Sequence, residues 1–317
     1  MVTNIYDTLG TDLNELLENE EITEINVNEN GEVFIKKLVS FDKITEKTNI
    51  IMHPERISLI LKAVAEYAGL KLKEGNNNLI TAILPNKERI NGIISAEGLV
   101  LKVPIFTIHK CRIVEKFNLD TYISAGSFSQ KQVETIKDYI KSHKNIMVVG
   151  ISGAGKSTFL NTCLREIEKT DNNEKIALIK HTPYVECKAN NVITLMSEYD
   201  KFDETIRMIT NFNPDRIIID DLSDDLGMYG LVQALDKGIG GVIFSLLAYD
   251  EERALVKLNN YTKELYNIYD DYIEQVKVNV NLIVTCYKDE NYNRKVKIFK
   301  IDGYDKENKK YILEEIK

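Results

Sequence analysis

The 317-residue sequence predicts an α/β protein in two parts, a small α+β domain followed by a larger domain built on a mainly parallel sheet. Three observations carry this expectation. Short β-type runs separated by turn residues fill much of the first 112 positions, apolar strand-like runs alternate with helical patterns from residue 145 onward, and a glycine-rich loop of phosphate-binding spacing opens that second stretch. The chain is therefore divided into an N-terminal α+β domain at 1–112, a linker and connecting helix at 113–144, and a P-loop nucleotide-binding domain at 145–317. Length agrees, because single cores stop growing at roughly 250 to 300 residues.

Ile25 and Val27 alternate with polar residues, Asn30-Gly31 supplies the two positive-φ positions of a tight turn, and Val33 and Ile35 resume the alternation, which predicts a hairpin. After His53-Pro54, the residues Ile57, Ile60, Leu61, Val64, Tyr67 and Ala68 fall at helical spacing, with Gly69 as the stop. Runs LITAIL, INGII and LVLKV, punctuated by Pro85-Asn86 and Glu97-Gly98, complete the small domain. In the connecting stretch Ser127 or Ser129 caps a helix carrying Val133, Ile136 and Ile140 on one face. Beyond it NIMVVG, KIALIK, NVITLM, RIIIDD, GGVIFSLL and NLIVTCY read as strands, with helices over Thr158 to Ile167 and Asp203 to Thr210. The closing KVKIFKIDGYDKENKKYILEEI reads as a hairpin at the sheet margin.

A hydrophobic share of 44% and a charged share of 28% suit a globular chain and exclude a large disordered portion. No apolar run approaches the roughly 20 residues of a membrane-spanning helix. The opening MVTNIYDTLGTDLNE is polar and acidic, so a cytoplasmic location is expected. The net charge of -8 argues against a broad footprint on a phosphate backbone, and no nucleic-acid partner is expected. Cys111, Cys163, Cys187 and Cys286 are scattered without a C-x-x-C pair, which points to buried reduced thiols rather than a zinc site.

The strongest chemical signal is Gly150-Ile151-Ser152-Gly153-Ala154-Gly155-Lys156-Ser157, a full G-x-x-x-x-G-K-S after a strand-like run, with Thr158 leading into a helix-forming one. Its glycines let the backbone curl so that successive N–H groups point at phosphate oxygens, and the following helix adds its positive end. The motif calls for ATP and Mg²⁺, with Lys156 bridging the β- and γ-phosphates and the Ser157 hydroxyl on the metal. The metal also needs a carboxylate at the end of a neighbouring strand, and Arg216-Ile217-Ile218-Ile219-Asp220-Asp221 ends in two. Asp220 is assigned to the metal's water shell and Asp221 to orienting or deprotonating the attacking water. Adjacent strand residues face opposite sides, so both are well placed only if the strand ends there; otherwise Asp221 is a cap. Asp224 and Asp225 read as turn or cap residues.

With these motifs placed, the order of segments resembles the type II/type IV secretion and pilus-assembly ATPases, most closely the branch that includes Tad-type pilus ATPases. The resemblance covers nearly the whole chain. ITEINVNENGEVFIKK is similar to that family's opening hairpin, LPNKERINGII to its L-P-D-G-x-R-x-N segment, NPDRIIIDDL to its R-P-D-R-I-I-V-G-E-V, and GLVQALDKGIGGVIF to the stretch after its Walker B. The resemblance implies a small N-terminal domain over a RecA-like motor domain, nucleotide between them, a hexameric ring, and inner-membrane secretion or pilus platform proteins as partners. Arg89 matches a family arginine of the N-terminal domain, and so joins the expected nucleotide contacts.

Departures fall at the catalytic positions. The family's acidic box, I-E-D-T-P-E, reads Ile179-Lys180-His181-Thr182-Pro183-Tyr184, and its T-x-H-A box reads Ser245-Leu246-Leu247-Ala248. Two arginines that commonly precede the P-D are Asn211 and Asn213, the Walker B glutamate and following arginine are Asp221 and Ser223, and the arginine of T-I-R-K is His109 beside a matching Lys110. A protonated lysine cannot accept a proton from water, so Lys180 implies weak or impaired hydrolysis with phosphate binding intact. Lys180 is either a solvated side chain or a partner of Asp221 or the γ-phosphate; Leu247 reads as core packing. Three functions follow: an oligomeric motor subunit with weak turnover, a non-hydrolysing nucleotide-dependent assembly or regulatory subunit, and a small-molecule P-loop kinase. A kinase lid rich in arginine is not visible, and a DNA-dependent ATPase is disfavoured by charge.

Overall fold

The computed structural model describes residues 4–39, 42–73, 78–94, 104–110, 117–170, 173–181, 183–196, 202–222, 225–266, 271–290 and 294–317. The chain divides into two compact units, Met1–Glu115 and Lys116–Lys317. Among the described residues no helix is long and apolar enough to cross a membrane.

The first unit holds α1 (Ile5–Leu9), α2 (Thr11–Glu18), β1 (Ile22–Val27), β2 (Glu32–Val39), β3 (Asp42–Ile51), α3 (Pro54–Tyr67), β4 (Asn78–Ile83), β5 (Arg89–Ile94) and β6 (Ile105–His109). Its six-stranded antiparallel sheet has the order β3-β2-β1-β6-β5-β4. The predicted hairpin is present, but its turn differs. The connection runs from Asn28 to Gly31, and of the expected positive-φ pair Gly31 has φ +73 while Asn30 does not share it. The Asn28 side chain closes the loop by accepting from the backbone N–H groups of Asn30 and Glu32, both at 3.0 Å, a local Asx bond that replaces the tighter turn. In α3, Ile57, Ile60, Leu61 and Val64 are buried as their spacing requires. Tyr67 and Ala68, expected on the same face, are exposed because the helix stops there; Tyr67 keeps 44% of its surface. The LVLKV run and the Glu97-Gly98 turn lie outside the described residues.

The second unit holds α4 (Leu119–Ser124), α5 (Gln130–Lys141), β7 (Ile146–Gly150), α6 (Lys156–Thr170), β8 (Ile176–Lys180), β9 (Val192–Met196), α7 (Phe202–Thr210), β10 (Arg216–Leu222), α8 (Asp225–Asp236), β11 (Ile243–Leu247), α9 (Glu251–Tyr266), α10 (Asp271–Asn279), β12 (Leu282–Lys288), β13 (Arg294–Asp305) and β14 (Lys310–Glu315). Its eight-stranded sheet runs β14-β13-β12-β7-β11-β10-β8-β9. From β9 to β12 the pairs are parallel, and β13 and β14 close the edge antiparallel. Parallel strands need cover on both faces, which is why β7 and β8 are buried at every residue and read as apolar runs until Lys180 ends β8.

Ser129 caps α5 through a reciprocal box with Gln132. Tyr122, Phe128 and Phe159 meet in tilted and edge-on contacts at 5.1 to 6.0 Å between centroids, so α4 and the segment leading into α5 pack on α6. At the N-terminal edge of the sheet Asn145 ties three strand entries together. Its side chain accepts from Val242 N at 2.9 Å and donates to Asn279 O at 3.0 Å, while its own N–H donates to Asn281 Oδ1 at 2.8 Å. That bond set fixes the relative heights of β11, β7 and β12, the strands that frame the glycine-rich loop. Cys163, Cys187 and Cys286 are free thiols, Cys163 and Cys286 buried and Cys187 half-buried; Cys111 lies outside the described residues.

Candidate functional site

The loop begins where β7 ends at Gly150 and closes where α6 begins at Lys156. Gly150 lies against β12: a Cβ there would stand 2.4 Å from the Cys286 carbonyl oxygen. Gly153 and Gly155 have φ of +73 and +111, so the arch depends on conformations that other residues rarely adopt. Ile151 and Ser152 are exposed at its crest and Ala154 is buried beneath it. Ser157 and Thr158 occupy the first turn of α6, where backbone N–H groups have no helical acceptor. All eight loop and helix residues expected at the phosphates, Gly150, Ser152, Gly153, Ala154, Gly155, Lys156, Ser157 and Thr158, thus share one arch at the C-terminal end of the parallel strands.

The acidic partner stands two strands away. Asp220, on β10, is buried with 2% of its surface exposed, and its Oδ1 accepts from Ser157 Oγ at 2.9 Å and from Ser245 Oγ at 3.3 Å. Burial pushes this carboxyl above the usual aspartate range, and the bond from Ser157 works against the shift. Lys156 is also buried; desolvation pulls its ammonium down, and the charges of Asp221 and Asp220 oppose that. Its Nζ donates to Ile151 O within the loop at 3.3 Å.

Asp221 resolves the problem that strand alternation poses. Its φ is +61, and the pairing of β10 with β11 breaks register between Ile219 and Leu222. A residue in the left-handed region turns the chain out of the pleat, and aspartate is among the side chains that tolerate it. The Asp221 N–H donates to Ser245 Oγ at 2.8 Å. Ser245 therefore joins both acids, a contribution the sequence reading missed. Its position at the head of the Ser245-Leu246-Leu247-Ala248 box was the available signal.

This donor set suits the expected cation. Ser157 Oγ and Asp220 Oδ1 are hard oxygen donors within hydrogen-bond distance of each other. Among the described residues no trio of His, Cys, Asp and Glu could hold a metal alone. Mg²⁺ is ordinarily held by one or two protein oxygens, with phosphate and water completing the octahedron.

Other expected positions behave differently. Lys180, at the end of β8, is not solvated; it keeps 7% of its surface and donates from Nζ to Val185 O at 2.6 Å. Leu247 is not core: at the end of β11 it keeps 36% of its surface. Asn211 and Asn213 lie in the exposed turn before β10, at the opposite edge of the sheet from Asp220; Asn213 has φ +49 and donates its N–H to Thr210 O at 3.2 Å. Thr182, Ser223 and Asp224 are outside the described residues. In the first unit Arg89 opens β5 and is the register partner of His109, which in turn pairs with Glu24, and Glu24 with Lys36. His109 and Lys36 hold the Glu24 carboxyl down to about 2.

Two further cations border the loop. Arg294 Nη2 donates to Gly153 O at 3.3 Å across a separation of 141 residues, and Lys288 Nζ is 3.9 Å from where a Cβ on Gly153 would stand. No motif marks them, since only the adjacency of β12 to β7 brings them there.

The model of the family described as type II/IV secretion system protein matches residues 10–309. The chain is 24% identical over 311 residues to the conjugal transfer protein TrbB of Rhizobium radiobacter, covering 96% of this chain and 91% of that protein. In fold it is similar to the pilus retraction motor PilT with bound ADP (TM-score 0.62, 12% identity, 90% of this chain and 80% of that one). It is also similar to the ATPase DotB of Legionella pneumophila (TM-score 0.60, 14% identity, 90% and 79%). The fold is accordingly an N-terminal domain joined to a RecA-like P-loop domain.

Proposed function

The chain belongs to the type II/IV secretion system protein family, and on that premise we propose that it is a cytoplasmic ATP-binding subunit of a secretion or pilus-assembly machine. In this reading the amides from Ser152 to Thr158 and the Lys156 ammonium would hold the phosphates. Ser157 and Asp220 would hold Mg²⁺, which would supply charge neutralisation on the phosphate oxygens. Asp221 would orient the attacking water. The subunit works in a self-associated ring, a hexamer by family pattern, against membrane platform proteins.

The single observation that carries the reading is the Ser157–Asp220–Ser245 chain of hydrogen bonds beside the buried Lys156. A buried, desolvated carboxylate and a buried ammonium at one glycine-rich arch gain most from a ligand bearing both a cation and phosphates. Titration calorimetry tests it: Lys156→Ala and Ser157→Ala are expected to weaken ATP-Mg²⁺ binding without unfolding the chain, and affinities equal to wild type would refute it.

Turnover is proposed to be slow. Lys180 stands where the related pattern has a carboxylate, and its Nζ is engaged by Val185 O; the exposed Leu247 stands where that pattern has an imidazole. Neither can accept a proton. The same observation favours the second reading, a nucleotide-dependent assembly subunit that does not hydrolyse at all. Steady-state phosphate release by the assembled protein, with Lys156→Ala as blank, separates the two.

A further inference from the structure

An asparagine inside a helix costs helix propensity, and a buried amide must find partners for its own atoms. Asn161 lies in the second turn of α6 with 3% of its surface exposed. Its Nδ2 donates to Ser157 O at 3.0 Å and to Tyr184 O at 2.7 Å, and its Oδ1 accepts from Glu186 N at 2.9 Å. One side chain therefore ties the first turn of α6 to both neighbours of Val185. Val185 is itself buried, and its carbonyl oxygen accepts from Lys180 Nζ at 2.6 Å. Further along α6, Glu168 Oε1 accepts from Lys188 N at 2.6 Å. From 183 to 189 the chain carries neither helix nor strand, and these bonds lay it along the helix that follows the phosphate loop.

Both ends of this tie belong to the site. Ser157 is the residue whose Oγ bonds Asp220, and Tyr184 closes the Ile179–Tyr184 box. A phosphate or cation held at the first turn of α6 opposes any opening of that turn, and an opening that breaks the Ser157–Asn161 bond also frees the segment that Asn161 holds. We infer, on the nucleotide-binding reading above, that Asn161 is a positioning residue through which the Tyr184–Glu186 segment opens and closes as one unit with the phosphate arch. Nucleotide binding then tightens the segment. By reciprocity, whatever holds the segment in place tightens nucleotide binding.

The test is amide hydrogen exchange of the full chain, read at Glu186 and Lys188, without ligand and with ADP or ATP-Mg²⁺ at about ten times the dissociation constant. A segment that opens only after the nucleotide has left exchanges about tenfold more slowly at Glu186, because ligand at that excess opposes opening by about the same factor. Lys188, held by Glu168 farther along the helix, should slow less. In Asn161→Ala the Glu186 amide should exchange fast with and without nucleotide. Calorimetric affinity for ATP-Mg²⁺ should fall by about fivefold, the low end of ordinary coupling between sites. Glu168→Ala should speed exchange at Lys188 and lower affinity less. Bound nucleotide with unchanged exchange at Glu186 would overturn the inference and leave the nucleotide site standing. So would Asn161→Ala binding as tightly as wild type while its segment exchanges freely. An absence of calorimetric binding of ADP and ATP-Mg²⁺ by the wild type would instead remove the reading beneath it. Should Asn161→Ala melt below the assay temperature, exchange in the wild type with and without nucleotide decides the matter.

Discussion

Replacing Ser245 with alanine removes one hydroxyl that serves both acids. Ser245 has no exposed surface. Its Oγ accepts from Asp221 N at 2.8 Å and donates to Asp220 Oδ1 at 3.3 Å. Alanine removes that acceptor from the part-buried Asp221 amide, at a residue already held at φ +61, and losing a partly desolvated hydrogen bond costs about 1 to 3 kcal/mol. The bond to Asp220 is long, so its loss adds at the low end of the range for charged partners. A destabilisation of about 2 kcal/mol is expected in the nucleotide-free protein. The functional effect follows from the same atoms. Asp220 loses one of the two hydroxyl bonds that oppose its burial, its carboxyl moves further up, and it becomes a poorer partner for a cation. ATP affinity measured with Mg²⁺ should fall more than affinity measured without it. Urea denaturation gives the first quantity and calorimetry the second. Threonine, the residue of the related T-x-H-A pattern, keeps the hydroxyl and should restore the Mg²⁺ dependence. Ser245→Ala with wild-type stability and unchanged Mg²⁺ dependence would show that Asp220 and Asp221 are held by other groups.

Three further outcomes are expected. Lys180→Glu combined with Asp221→Glu should raise phosphate release above the Lys156→Ala blank, and Lys180→Glu alone should raise it less; brisk wild-type hydrolysis indifferent to Lys180→Glu would refute this. Because Lys180 donates to Val185 O, the single change opposes two acceptors in a buried site and should also lower stability by about 1 to 3 kcal/mol. For Asp220 the sign runs opposite to a paired carboxylate: its folded pKa is raised, so the folded chain binds the proton more tightly and stability is lost as pH rises through and above the ordinary aspartate range. Asp220→Asn, which keeps an oxygen for Ser157 and Ser245, should melt higher than wild type at neutral pH without nucleotide and match it in acid; a lower neutral melting point would mean the carboxylate is net stabilising.

The phosphate arch was legible because everything that specifies it is local. Glycines at 150, 153 and 155, an apolar strand before them and a helix-forming run after them are adjacent in the chain. The buried parallel strands were legible for a related reason, since cover on both faces leaves an unbroken apolar run such as Ile146 to Val149. Alternation could not decide how Asp220 and Asp221 share the end of β10. A left-handed residue and a register break decide it, and there the Asp221 N–H finds the hydroxyl that Ser245 brings from β11. The same holds for Asn30, whose expected turn gives way to a side-chain bond from Asn28. Lys180, Leu247, Asn211 and Asn213 were placed by correspondence with a motif, which fixes position along the chain but not burial or sheet edge. Arg294 and Lys288 left no trace in the sequence at all. Chain order is silent about which strand lies beside β7, and only the sheet order, set by burial of both faces and by parallel crossovers, brings Arg294 to the carbonyl of Gly153, 141 positions away.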